Sequence, residues 1–192
     1  MEIRSVSDSP LTGGVIPQPR ILIIGLGNPL LGDDGFGWRV ASHVECALQE
    51  QSKTVGEGET HSSMVAAVEV ERLAVGGLRL MEQMIGYDAA ILIDAITLGQ
   101  QPIGSLYSYS LESLPSYSVG HLYSAHDTSL QVALEMGRNL VAKLPDAIWV
   151  IGVEVEPTFI FSESLTPAIM AAVPCAVQLV IKKLDQIAEE VL

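Results

Sequence analysis

Apolar residues along this chain fall into short unbroken runs that alternate with stretches at helical spacing, and this alternation predicts a series of strands and helices. The segment from Arg20 begins as an apolar run, Ile21-Leu22-Ile23-Ile24, passes through a glycine-rich turn and opens onto a helical pattern. Phe36, Val40, Val44 and Leu48, with Ala41 and Ala47, predict a helix from Asp34 to about Gln51, and the polar stretch from Gln51 to Ser63 reads as an exposed loop. Met64 to Val70 is a second strand and Leu73 to Ile85 a second helix, whose start is blurred by Gly76 and Gly77. Tyr87 to Ala95 is the clearest buried strand, a continuous apolar run ending in the carboxylate of Asp94.

After the breaker Pro102, Gly104 to Leu111 alternates large residues with serines and predicts a more exposed edge strand. Leu114 to Tyr123 is loop, and Ser124 caps a predicted helix running to about Leu144, with Asp127 three residues after the cap. Ala147 to Val153 is a last buried strand, followed by a loop from Glu154 to Glu163. Thr166 to Leu192 is a long helix that Pro174 should kink or split. Strands alternating with helices define a three-layer α/β domain with a mainly parallel sheet, spanning 20–192, and 1–19 reads as a disordered N-terminal extension.

Composition narrows the function. The chain has 192 residues, and its 48% apolar against 17% charged content suits a sheet covered on both faces. The net charge of -13 gives the wrong sign for counterion release from nucleic acid, so no nucleic-acid partner is expected. No apolar stretch is counted as reaching bilayer length, the N-terminus lacks a signal-like core, and no membrane association is expected. Cys46 and Cys175 form no metal-type pair; they fit a reducing cytoplasm and are expected to pack as small core residues.

The turn after the first strand excludes two nucleotide readings. Gly27-x-x-x-x-Gly32 copies the start of a phosphate-cradling loop, but Asp33 and Asp34 stand where Lys and Ser/Thr belong. The third glycine of a dinucleotide turn would fall at Leu30. A turn that points carboxylates over a sheet rim suits a cation instead. Asp34, Asp94 and His126 are the candidate ligands, a set fitting a borderline divalent ion such as nickel or zinc with positions left open for substrate. A first-turn position would favour neutral His126 and ionised Asp34 through the helix dipole. Blander roles stay open: Asp33 or Asp34 as a helix cap, Asp94 binding amides of its turn, His126 structural or merely exposed. His43, His61 and His121 read as surface or loop residues, Trp38 and Trp149 as packing residues, and no Ser or Cys nucleophile stands out.

These residues resemble the nickel-iron hydrogenase maturation endopeptidases. The likeness rests on Gly25-Leu26-Gly27-Asn28-Pro29-Leu30-Leu31-Gly32-Asp33-Asp34-Gly35-Phe36-Gly37, on Leu92-Ile93-Asp94-Ala95, on Ser124-Ala125-His126-Asp127, and on Ile151-Gly152-Val153 followed by Ser164-Leu165-Thr166-Pro167. The resemblance implies a mixed five-stranded sheet in order 2-1-3-5-4 with the Gly104 to Leu111 strand antiparallel. It implies a monomeric cytoplasmic endopeptidase that removes the C-terminal extension of a hydrogenase large-subunit precursor after nickel insertion. Asp34, Asp94 and His126 would be both catalytic and metal-contacting, sensing nickel carried by the substrate rather than held permanently. Two other readings are a peptidyl-tRNA hydrolase, which the acidic charge disfavours, and a non-catalytic nickel-dependent escort module. The chain departs from the family at its N-terminal extension, at the polar stretch from Lys53 to Ser63, and at Val75-Gly76-Gly77-Leu78, where relatives carry Asp-Gly-Gly-Thr.

Overall fold

A computed structural model describes residues 18–54, 66–113, 129–140, 142–157 and 161–190. Strand β1 (Arg20–Leu26) leads through a 3-10 turn (Gly32–Gly35) into α1 (Phe36–Thr54). Then follow β2 (Ala67–Leu73), α2 (Gly77–Gln83), β3 (Ala89–Ile96), β4 (Leu106–Ser110), α3 (Leu130–Asn139), β5 (Ala147–Glu154) and α4 (Pro167–Glu190). The five strands form one mixed sheet in the order β2-β1-β3-β5-β4, as the resemblance implies. All neighbours are parallel except β4, which runs antiparallel to β5 along one edge.

Continuous apolar strands end up buried on both faces because each face needs its own layer of helices. Ile21, Ile23, Ala89, Ile91 and Ile93 pack with residues of α1 and α4. The alternate residues Leu22, Ile24, Leu26, Ala90 and Leu92 pack with residues of α2 and α3. The edge strand β2 alternates instead: Ala67, Glu69 and Glu71 are exposed between half-buried Val68 and Val70, and charge on that edge discourages pairing with another chain.

Several boundaries differ from expectation. Strand β2 runs three residues later than expected, since Ala-Val-Glu-Val-Glu-Arg-Leu carries the half-buried alternation. Leu73 belongs to that strand, and Gly76 stays extended, so α2 starts only at Gly77. Helix α3 begins at Leu130, where the Ser129 hydroxyl accepts the Val132 N–H, and stops at Asn139 rather than Leu144. A bond from Ala142 N–H to Gly137 C=O closes its end. Ser124 and the expected loop from Leu114 to Tyr123 lie outside the described residues. Pro174 does not split α4, because it faces solvent, where a lost backbone bond is cheapest.

Two further expectations fail. Cys46 and Cys175 are exposed, because Val40, Val44 and Leu48 occupy the inward stripe of α1 and Ala172, Val173 and Ala176 that of α4. Helix α4, at 24 residues, is long and apolar enough to cross a membrane by length and composition. Its Ile169, Ala172, Val173, Ala176, Val180, Leu184 and Ile187 are buried against the sheet, as in a core helix. The tryptophans pack as expected: Trp38 Nε1 donates to the Leu73 carbonyl at 3.2 Å, and Lys183 Nζ lies 3.4 Å from the Trp149 ring centroid.

The amino end of the sheet is held by charge. Arg20 donates to Glu69 at 2.8 Å and lies over the Tyr87 ring, whose hydroxyl donates to Glu69 at 2.6 Å. Burial first, and the Glu69 bond second, push the Tyr87 phenol up to about 12, while the bonds from Tyr87 and Arg20 hold Glu69 below its ordinary 4.5. The Lys143 ion pair, then the Arg20 amide, lowers Asp88. A depressed folded-state pKa gives stability that is fully present above the unfolded value and disappears as pH falls through the folded one. Glu69→Gln should therefore cost at most about 0.5 kcal/mol near neutrality, because the pair is half exposed. Thermal melts should show that difference constant down to pH 4.5 and shrinking below it.

Candidate functional site at the carboxyl rim

In a parallel sheet the turns beyond the carboxyl ends of the strands converge on one rim. The first of them is shaped by missing side chains. A Cβ on Gly37 would stand 2.2 Å from the Leu26 carbonyl oxygen and 2.3 Å from that of Ile93, so the start of α1 rests directly on the ends of β1 and β3. Gly27 has φ 126°, and a Cβ there would meet the Asp34 carbonyl oxygen at 1.8 Å. Asn28 adds a local turn, with its Oδ1 accepting the Leu30 N–H at 3.0 Å.

The two adjacent aspartates do different jobs. Neither caps the turn that contains them, whose leading residue Leu31 has no side-chain cap bond. Asp33 instead reaches 133 residues along the chain: its carboxylate accepts the Thr166 N–H at 2.6 Å and the Thr166 hydroxyl at 2.9 Å, tying the start of α4 to the rim. Asp34 Oδ2 accepts the Asn28 N–H at 2.7 Å, which fixes the carboxylate over the end of β1.

Asp94 lies two residues before the end of β3 and is fully buried at 0% exposure. Strand alternation puts it on the side of Leu92, toward α2 and α3. The β1–β3 pairing runs to Gly25 opposite Ile93, so Asp94 stands one step further, level with Leu26. The fold thus brings Asp34 and Asp94 to the ends of neighbouring strands. His126 lies outside the described residues, as do His61 and His121, while His43 is exposed on α1. The helix whose first turn was expected to hold His126 begins at Leu130. Among the described residues no group of three or more His, Cys, Asp or Glu side chains is placed to hold a metal. Asp34 and Asp94 are hard oxygen donors that suit part of a divalent site, and a buried carboxylate such as Asp94 is tolerable only with hydrogen bonds or a cation beside it.

Sequence reasoning missed Glu154. Expected at the start of a loop, it is the last residue of β5 and 1% exposed. Oε1 accepts the N–H groups of Leu98 and Gly99 at 2.9 and 3.0 Å, and Oε2 accepts the Tyr107 hydroxyl at 2.6 Å. Burial, then the Glu154 bond, raises the Tyr107 phenol. This carboxylate pins the loop that follows Asp94 to β4 and β5. Its only trace in sequence is a polar residue ending an apolar run. Beside the first turn, on its α1 side, a cleft of about 330 Å³ is lined by Pro29, Trp38, Arg39, His43, Cys46 and Glu163, among others.

Sheet order and layers define a three-layer α/β protein with acidic side chains on its carboxyl rim. The model of the HycI hydrogenase maturation protease family matches residues 63–183, and the chain belongs to that family. It is 26% identical over 176 residues to the hydrogenase expression/formation protein HupD of Rhizobium leguminosarum bv. viciae, covering 91% of this chain and 79% of that protein. HupD of Thiocapsa roseopersicina is 26% identical over 169 residues, covering 88% and 69%. The fold is that of the hydrogenase maturating endopeptidase HybD from E. coli, with a TM-score of 0.62, 21% identity, and coverage of 87% and 93%. The maturation protease HybD of Thermococcus kodakarensis gives a TM-score of 0.57 at 23% identity, covering 85% and 97%. The chain is therefore a peptidase, which sets aside the peptidyl-tRNA hydrolase and escort readings.

Removing the Asp33 clamp in Asp33→Ala should cost about 1 kcal/mol, read as a lower melting temperature. Gly27→Ala should cost about 3 kcal/mol, since a left-handed backbone and a carbonyl collision add together. Equal melts for Gly27→Ala and the parent would contradict the packing of this turn.

Proposed function

We propose that this peptidase removes the C-terminal extension of a nickel-iron hydrogenase large-subunit precursor once nickel has been installed. Asp34, Asp94 and His126 would contact nickel carried by the substrate. The observation that carries this reading is the wholly buried carboxylate of Asp94 on the rim of β3, beside the strand whose turn holds Asp34. Family membership supplies the client class.

The chemistry follows from charge. Carboxylates gathered on one rim of a protein of net charge -13 repel each other and any acidic peptide. A precursor bearing a divalent ion reverses the sign of that interaction, so the electrostatic part of the binding energy turns favourable only after nickel insertion. Asp34 and Asp94 supply oxygens, His126 a nitrogen, and the substrate keeps its own ligands. The peptide next to the ion is thereby aligned for attack by water, and the ion can polarise its carbonyl. The buried position of Asp94 and the Asn28 N–H on Asp34 preorganise these groups, so little reorientation is needed at the moment of reaction.

Asp34→Ala, Asp94→Asn and His126→Ala should each lower trimming of a nickel-loaded precursor by at least about a hundredfold while circular dichroism spectra stay unchanged. The mass of the large subunit before and after incubation, with and without nickel, reads the outcome. Full trimming by all three variants, or equal trimming without nickel, would sink the assignment.

A further inference from the structure

We propose that Leu30, Ile103, Phe161 and Met170 form an apolar collar on which the large-subunit precursor docks beside the carboxyl rim. The inference rests on the substrate reading given above. These side chains are 42%, 40%, 81% and 43% exposed in a protein otherwise rich in surface carboxylates.

They are separated along the chain but share one border. Ser162 N–H donates to the Leu30 carbonyl at 3.0 Å, and Gly32 N–H to the Ser162 carbonyl at 2.7 Å, so Leu30 and Phe161 flank a single parallel bridge. The Asp33 clamp on Thr166 joins that bridge to the first turn of α4, which carries Met170. A Cβ on Gly104 would lie 3.1 Å from the Ala168 carbonyl oxygen, which brings the Ile103 loop against the same turn. The collar continues along the outer side of α4, where no charged residue occurs between Glu163 and Lys182, and Ala168, Ala171 and Pro174 are exposed.

Its position selects the occupant. The residues adjoin the turn bearing Asp34, so whatever brings a scissile peptide to that turn must cover Leu30 and Phe161. A macromolecular substrate is held over such a border by a few desolvated anchors, which carry most of the energy of protein–protein contacts. A lipid surface would ask for basic residues around the apolar face. The first cations on α4, Lys182 and Lys183, come three turns beyond Met170, and the net charge is strongly negative.

The test is the Kd of the full-length chain for nickel-loaded precursor, measured by biolayer interferometry, with trimming followed separately by mass. The double variant Leu30→Ser/Phe161→Ser should bind roughly tenfold more weakly, about 1.4 kcal/mol, with an unchanged melting temperature. Phe161→Leu, which keeps an apolar anchor, should bind within about twofold of the parent. Leu140→Ser alters an equally prominent side chain, 79% exposed, at the far end of α3, and should leave the Kd unchanged. The same Kd in the double variant, an equal loss in Leu140→Ser, or no binding by the parent would overturn the collar. So would a double variant that only loses self-association in light scattering. A parent that binds but does not trim would overturn the processing reading and leave the collar standing.

Discussion

The start of α1 lies closer to the ends of two strands than any side chain permits. Gly37 sits between the carbonyl oxygens of Leu26 and Ile93, and a Cβ on Gly25 would lie 2.3 Å from the Gly37 carbonyl oxygen. Close approach of this kind is available only to glycine, and it turns a connecting segment into a plate laid over the sheet edge. The positions of Asp33 and Asp34 follow from it. One reaches α4 and the other stands over β1, which makes the rim rigid where chemistry needs fixed geometry.

Three acidic side chains then divide the work of that rim. Asp33 and Glu154 accept from distant donors, the Thr166 amide and hydroxyl in one case and the Leu98 and Gly99 amides with the Tyr107 hydroxyl in the other. They hold segments of the rim together. Asp94 is a wholly buried carboxylate on a strand flanked by apolar neighbours. Burying a carboxylate is expensive unless hydrogen bonds or a cation stand beside it.

Much of the architecture was legible. Ile21 to Ile24, Ala89 to Ile93 and Ala147 to Val153 are runs too short for helices and too apolar for an edge, so β1, β3 and β5 follow from composition and length alone. Elements at the margin carry mixed signals. Around Leu73 to Gly77 strand and helix signals overlap, and the boundary was settled by pairing of Leu73 with Leu26. Cys46 is exposed despite its apolarity because its angle on the helix relative to Val40, Val44 and Leu48 decides its burial. The motif around Asp33 and Asp34 marks the turn that joins β1 to α1, but the partner of Asp33, Thr166, lies 133 residues away and leaves no trace in it.

Taken alone, the chain of residues determined the strand runs, the helical stripes, the glycine turn and the family likeness, because these depend on local spacing and on volumes that neighbours along the chain can or cannot fill. Only the tertiary structure decided that Asp33 clamps Thr166, that Glu154 pins the loop after Asp94, and that Leu30 and Phe161 share a border. Those outcomes join segments scores of residues apart. A carboxylate's partner is chosen by which donors the folded backbone leaves within about 3 Å, a distance that no periodicity along the chain encodes.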